Sequence, residues 1–334
     1  MRVCICGGGN LGHVVAGFIA AQNLHEVILF TRQPEQWSRL LVVETPSGEE
    51  LSGQLYGIYS DPQKAVSGAD IVLLCLPGFS IREVLLQIKD YLKPSTAVGS
   101  VVSSTGFFFE AMNVLPPTTA LFGFQRVPFI SRLVDYGHRA RLLGYKDCLH
   151  LAIERLNEKE ELRSALETML RTPIRLLNNH YEASLSNSNP LLHPSRLYSL
   201  WHNWREGEVY SRIPLFYEEW TEEAARLYID MDNELQALLQ VLPVAPECVM
   251  PVLEFYESHD AESLARKLRS ITAFKGIAAP MRKVDEGYVP DFNSRYFRED
   301  FPFGLEFLAR LAQEKGIPAP TINRVCEWGM SCLN

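Results

Sequence analysis

The chain has no run of basic residues, no apolar stretch near the ~20 residues that span a bilayer, no internal repeat and no low-complexity segment. With a formal net charge of -8 over 334 residues, the missing basic run argues against a nucleic-acid partner, which needs a concentrated basic surface. The short apolar runs argue against a membrane protein. The amino terminus enters a strand without a charged leader or a small-residue cleavage site, so a cytoplasmic protein is expected. Seven cysteines, odd in number and scattered, form no disulfide framework, and without a CxxC pair no metal site is expected. Cys4 and Cys6 alternate on an apolar strand and read as small buried residues.

What is present is a soluble globular composition, 47% apolar and 22% charged, in a chain too long for one ordinary core. Two domains are expected, 1–182 and 183–334. The first begins with strand Arg2–Cys6, the turn Gly7-Gly8-Gly9-Asn10-Leu11-Gly12, a helix from about Leu11 to Asn23 and strand Glu26–Phe30, which together make a βαβ unit. Gly7 allows the tight turn, Gly9 lets a pyrophosphate approach the backbone, and Gly12 lets helix pack on strand; the amides of Asn10 and Leu11 open the helix toward the anion. The alternative is a tight turn without a ligand.

The second strand ends in Thr31-Arg32, where an NAD-binding domain usually places an acid for the ribose diol. A hydroxyl followed by a guanidinium suits the extra phosphate of NADP(H), whereas Glu35 keeps NAD(H) as an option. Arg32 as a plain solvated loop residue is the other reading. Leu51–Ser60 reads as one strand, and Asp70–Leu76 as a buried parallel strand ending at Pro77-Gly78, with a helix from about Ser80. Leu76 and Pro77 then border the cofactor, since ligands lie beyond the carboxyl ends of such strands. Strands Ala97–Ser103, Ala120–Phe124, Leu149–Glu154 and Pro173–Asn178 extend the sheet, with Ser104-Thr105-Gly106 and Arg126 on the same rim.

From about Tyr181 the pattern turns helical. Pro214–Leu242 shows one apolar stripe and reads as a long helix with Pro214 in its first turn; Asp260 caps another, Pro302 opens one running to about Glu314, and Pro320 opens the last. His193, between Pro190 and Pro194, is expected at a break before a helix. Arg295 and Asp300 lie five residues apart in Ser294-Arg-Tyr-Phe-Arg-Glu-Asp300-Phe-Pro-Phe-Gly-Leu305. A histidine with a carboxylate and an arginine supplies an oriented acid/base and a fixed cation for a substrate carboxylate. Asp300 as a helix cap, a structural His193, and Arg298 in place of Arg295 are the competing readings.

Over essentially its full length the chain resembles the opine dehydrogenase family of octopine/nopaline type. The resemblance rests on the glycine turn, on Asn189-Pro-Leu-Leu-His193-Pro, and on Arg295-Tyr-x-x-Glu-Asp300-x-Pro-x-Gly-Leu305. It implies a Rossmann-like doubly wound α/β domain followed by an all-α domain like the carboxy-terminal part of 6-phosphogluconate dehydrogenase. It implies NAD(P)H-dependent reductive condensation of an amino acid with an α-keto acid, with His193 as acid/base, Asp300 orienting it and Arg295 binding a carboxylate. The departure is at Thr31-Arg32, where several members carry an acid and use NAD. A homodimer is compatible with this reading. The nearest alternative is a reductase like ketopantoate reductase, suggested by the Gly316-Ile-x-x-Pro320 turn; such enzymes use a lysine and lack the His193 segment. A non-catalytic nucleotide sensor is the other, and it would have lost the acid/base.

Overall fold

A strand buried on both faces must send alternate side chains into two separate cores, and β1 (Arg2–Cys6) does so. Val3 and Ile5 enter one core; Cys4 and Cys6, fully buried, enter the other. The computed structural model describes residues 1–104 and 106–333, so Thr105 of the expected rim turn lies outside the described residues. The chain divides into two compact units, Met1–Ser186 and a second beginning at Asn187. The first runs four residues past the expected 182/183 boundary because it retains the helix that follows the last strand.

After β1 come α1 (Asn10–Ala20), β2 (Glu26–Phe30), β3 (Leu40–Glu44), β4 (Glu50–Gln54), β5 (Gly57–Tyr59), α2 (Pro62–Val66), β6 (Ile71–Leu74) and α3 (Gly78–Ile88). They are followed by β7 (Ala97–Ser100), α4 (Phe107–Val114), β8 (Ala120–Phe124), β9 (Phe129–Asp135), β10 (Arg139–Tyr145), β11 (Leu149–Glu154), α5 (Lys159–Leu170), β12 (Ile174–Leu176) and α6 (His180–Leu185). The main sheet has the order β12-β11-β8-β7-β6-β1-β2-β5. Its β5-β2-β1-β6-β7-β8 portion is parallel and has the strand order of a dinucleotide-binding fold, reversing direction of winding between β1 and β6. β11 runs antiparallel to β8.

A second sheet, β4-β3-β10-β9, was not expected. The span Leu51–Ser60 is therefore not one strand: its first half joins this sheet as β4 and its second half joins the main sheet as β5. The small sheet covers the face of α1 that β1 and β2 leave open, so α1 is buried continuously from Gly12 to Ala20. That double cover explains why α1 is apolar nearly all round rather than along one stripe.

The second unit holds α7 (Asn189–Trp201), α8 (Glu222–Leu239), α9 (Val252–Phe255), α10 (Ala261–Ser270), a hairpin of β13 (Met281–Val284) and β14 (Gly287–Pro290), a π-helix (Tyr296–Leu305), α11 (Glu306–Glu314) and α12 (Pro320–Cys332). Three expectations are corrected here. The helix expected from Pro214 begins only at Glu222, where the Thr221 hydroxyl accepts from the Ala224 amide at 3.2 Å. Pro302 lies inside the π-helix instead of opening a helix. A wide turn accommodates a proline that an α-helical turn would exclude by ring clash and a missing donor. His193 lies within α7, not at a break before it: Pro190 occupies the first turn, where no amide is needed, and Pro194 lies inside the helix, where it leaves the Pro190 carbonyl without its amide donor and the helix continues. Among the described residues no helix is long and apolar enough to cross a membrane.

Two glycines of the amino-terminal turn are fixed by geometry. Gly7 has φ +115°, and a β-carbon on Gly12 would stand 2.0 Å from the Gly7 carbonyl oxygen. Gly12→Ala should therefore force α1 off β1. We expect a stability loss of at least about 1–3 kcal/mol, read by denaturant unfolding; an unchanged midpoint would show that the turn relaxes freely.

Candidate active site

In the first unit the carboxyl ends of β1, β2, β5 and β6 are stitched by backbone bonds beyond the strands. Gly7 N donates to Phe30 O at 3.1 Å, Cys75 N to Cys6 O at 2.8 Å, and Thr31 N to Tyr59 O at 2.9 Å. Above this rim α1 starts at Gly9 with no side-chain cap and no acidic residue in its first turn, and nothing stands within 4 Å of the place of a Gly9 β-carbon. Open amides at a helix start with free space before them fit a pyrophosphate. Leu11 lies in that first turn, half-buried. Asn10 opens α1, and its side chain ties the turn to β9, Oδ1 accepting from the Leu133 amide at 2.9 Å. Leu76 packs against Gly7, and Pro77 precedes the first turn of α3. Thr31 is buried, while Arg32 is exposed with no hydrogen bond or ion pair among the described residues. Arg126 donates to the Ser186 carbonyl at 2.8 Å.

The second unit brings together His193 and Asp300, from segments 107 residues apart: His193 Nδ1 donates to Asp300 Oδ2 at 2.8 Å. The two segments meet because a β-carbon is absent at Gly304, where one would stand 2.9 Å from Pro190. On the far side of the π-helix Gly329 of α12 does the same for Phe301. Arg295 precedes Asp300 by one π turn; it is exposed and forms no hydrogen bond or ion pair among the described residues. Arg298 is also exposed.

Sequence reasoning missed the group on the other ring nitrogen. His193 Nε2 lies 3.0 Å from the hydroxyl of Tyr217, a residue only 5% exposed. Burial pushes the Tyr217 phenol up, assisted by nearby Tyr296, Tyr256 and Asp300, so it is neutral at physiological pH. The Tyr296 ring meets the imidazole edge-on at 4.7 Å, and burial and Asp300 push its phenol up as well. The segment carrying Tyr217 is not helical. Arg196 Nε donates to the Phe216 carbonyl at 2.9 Å, Arg269 donates to the Trp220 carbonyl at 3.1 Å, and Glu219 accepts from both Arg212 and the Leu215 amide. Phe216, Tyr217 and Trp220, three aromatics in five positions, exceed the single stripe that a helix buries, and this was the available signal.

Residues 176–333 match the family model for the NAD/NADP octopine/nopaline dehydrogenase alpha-helical domain, and residues 2–114 the NAD-dependent glycerol-3-phosphate dehydrogenase N-terminus. Opine dehydrogenase of Haliotis discus hannai is 30% identical over 98% of this chain and 89% of its own. The chain belongs to the opine dehydrogenase family. Tauropine dehydrogenase of Arabella iricolor is 28% identical over 98% of this chain and 90% of its own. An octopine dehydrogenase solved with NADH and L-arginine superimposes with a TM-score of 0.87 at 26% identity, covering 99% of this chain and 89% of that one. As an opine dehydrogenase the protein is an NAD(P)-dependent oxidoreductase acting on CH–NH bonds, with the Rossmann-like and helical domains expected from its sequence.

The contact between Gly304 and Pro190 makes the His193–Asp300 distance testable without touching either group. Gly304→Ala should separate α7 from the π-helix by a few tenths of an ångström. We expect kcat to fall about tenfold or more, with a stability loss of only about 1–3 kcal/mol. Full turnover in the folded variant would remove the link between this packing point and activity.

Proposed function

We propose that His193 is the acid/base of the reaction, that Asp300 orients it, that Arg295 holds a substrate carboxylate and that NADPH is the preferred hydride donor. The reaction is the reductive condensation of an amino acid with an α-keto acid through an imine. The observation that carries the assignment is the His193 Nδ1–Asp300 Oδ2 bond of 2.8 Å, with the opposite ring nitrogen facing a neutral phenol.

An ionised Asp300 accepts only, so Nδ1 carries the hydrogen and Nε2 keeps the lone pair. Nε2 is then the atom that takes the proton lost by the attacking amine and returns one to the carbinolamine oxygen as it leaves as water. Tyr217, neutral through burial, donates to Nε2 before substrate enters; its hydroxyl turns away as the amine takes that lone pair, and it accepts from Nε2 once the imidazole is protonated. It follows the proton without replacing the base. A guanidinium one π turn from Asp300 suits a carboxylate, which it can hold by two parallel N–H bonds. The cofactor, when bound, supplies the hydride to the imine carbon. Gly7, Gly9, Asn10, Leu11 and Gly12, with the amides opening α1, would hold its pyrophosphate; Leu76 and Pro77 would border it. An exposed Arg32 beside Thr31, with no acid at the end of β2, supports NADPH over NADH. A cytoplasmic setting, where NADPH is supplied, suits this chemistry, and a homodimer is part of the same proposal.

His193→Ala should lower kcat by roughly 10²–10⁴ and leave NADPH binding intact. Asp300→Asn should lower kcat through the tautomer, and Arg295→Lys should raise KM because a point charge does not reproduce the fork. Tyr217→Phe should cost less, about fivefold to tenfold, the worth of one neutral hydrogen bond. Rates per folded molecule that stay near wild type in His193→Ala would return the residue to a structural role. Turnover of a keto acid to the hydroxy acid without any amine, at an undiminished rate, would overturn the condensing reaction.

For the cofactor, titrations with NADPH and NADH should differ, and Arg32→Asp should move the ratio of affinities at least tenfold, ~1.4 kcal/mol. Equal titrations in the unmutated protein would remove the preference.

A further inference from the structure

His13, the residue after the glycine turn, is only 1% exposed, yet both of its ring nitrogens are bonded. The Gly137 amide lies 2.7 Å from Nε2, and an amide only donates, so Nε2 accepts; Nδ1 therefore carries the hydrogen and donates to the Gly9 carbonyl at 2.9 Å. A neutral imidazole thus bolts the glycine turn to the turn between β9 and β10. Trp37 stacks on it at 3.9 Å, and Tyr136 meets both rings edge-on, at 5.2 Å from His13 and 5.5 Å from Trp37. The β9–β10 turn is also pressed onto the chain that follows Arg32: Gly137 has φ +73°, a β-carbon there would stand 2.0 Å from the Gln36 carbonyl, and its own carbonyl accepts from Ser38 N at 2.8 Å.

The consequence is the position of one hydroxyl. A β-carbon on Gly8 would stand 3.0 Å from Tyr136 Oη and 3.4 Å from Thr31 Oγ1. Gly8 lies inside the glycine turn and Thr31 closes β2; in a doubly wound sheet the adenosine ribose lies between those two places. Tyr136 is 38% exposed, its ring is held by His13 and Trp37, and its hydroxyl has no hydrogen bond among the described residues. A rigid ring presenting an unused donor at that point is built for a ligand oxygen.

We infer that Tyr136, carried by the second sheet, is a cofactor-binding residue whose phenol donates to the 2′-phosphate of NADP(H), beside Arg32. The inference rests on the proposed NADPH preference. A donor to a dianion is stronger than one to a neutral oxygen. The phenol thus discriminates between the two cofactors, and His13 and Trp37 are positioning residues that hold it there.

The test is calorimetric titration of the intact protein and of Tyr136→Phe with adenosine 2′,5′-bisphosphate and with 5′-ADP. The variant keeps the ring that packs on His13 and Trp37, so its melting temperature should be unchanged. We expect the unmutated protein to prefer the 2′,5′-bisphosphate and the variant to bind it about tenfold more weakly, with 5′-ADP unaffected. Unchanged affinity of the variant for both ligands would overturn the assignment. An equal loss on both, in a protein that prefers the 2′,5′-bisphosphate, would also overturn it, because the contact would then lie elsewhere on the nucleotide. If the unmutated protein binds both ligands equally, the NADPH preference fails, and the 2′-phosphate contact of Tyr136 is overturned with it.

Discussion

The chemistry of the helical unit depends on how closely α7 can approach the π-helix at Pro190 and Gly304. A hydrogen bond weakens over a few tenths of an ångström, and the His193–Asp300 bond spans residues on two different helices. Its length is therefore set by main-chain separation, not by the two side chains alone. With no β-carbon at Gly304, Pro190 can sit directly on the backbone, and Gly329 gives the π-helix the same freedom toward Phe301 on its other side. Gly304 and Gly329 act as spacers, and the His193–Asp300 pair depends on that spacing.

The nucleotide unit obeys a comparable constraint. Gly12 admits the Gly7 carbonyl, Gly17 admits Val43 and Gly53 admits the Ala21 backbone, so α1 is held between the main sheet and the small sheet. A helix packed on both sides has little freedom to tilt. Its open first turn is consequently held in place without an acidic or hydroxyl cap of its own, as the proposed anion site requires.

Much of this was legible in the sequence where side-chain type and local period carry the signal. β1, β2 and β8 follow from short apolar runs, and the glycine turn follows from residues whose missing β-carbons are needed. His193 and Asp300 could be singled out as an imidazole and a carboxylate able to pair, and the structure brings them to 2.8 Å; the role of Arg295 remains part of the proposal. The small sheet was not legible, since β3 pairs with β10 across almost a hundred residues and no local pattern encodes that partner. The π-helix escaped for another reason: its period is neither the 3.6 of an α-helix nor the 2 of a strand, and a proline such as Pro302 ordinarily marks the start of an α-helix. Tyr217 was hidden by a stripe that continues smoothly into α8, although the helix itself begins at Glu222.

Arg196 shows what holding Tyr217 requires. It is one turn from His193 on α7, only 2% exposed, and its hydrogen bonds run to the carbonyls of Phe216 and Leu215. Burial pushes its guanidinium down to about 10, Glu219 opposing the shift less strongly, so the group is still charged at neutral pH. Burying a cation against carbonyl oxygens costs stability relative to an apolar side chain of similar size. The return is geometric: the helix that bears the imidazole also grips the two residues before the phenol that faces it. His193 and Tyr217 are therefore fixed to one frame, and a shift of α7 carries both together and leaves their 3.0 Å separation intact. Asp300 belongs to the other helix. Of the two bonds to the imidazole, the one to Asp300 is thus the one that packing between helices can alter.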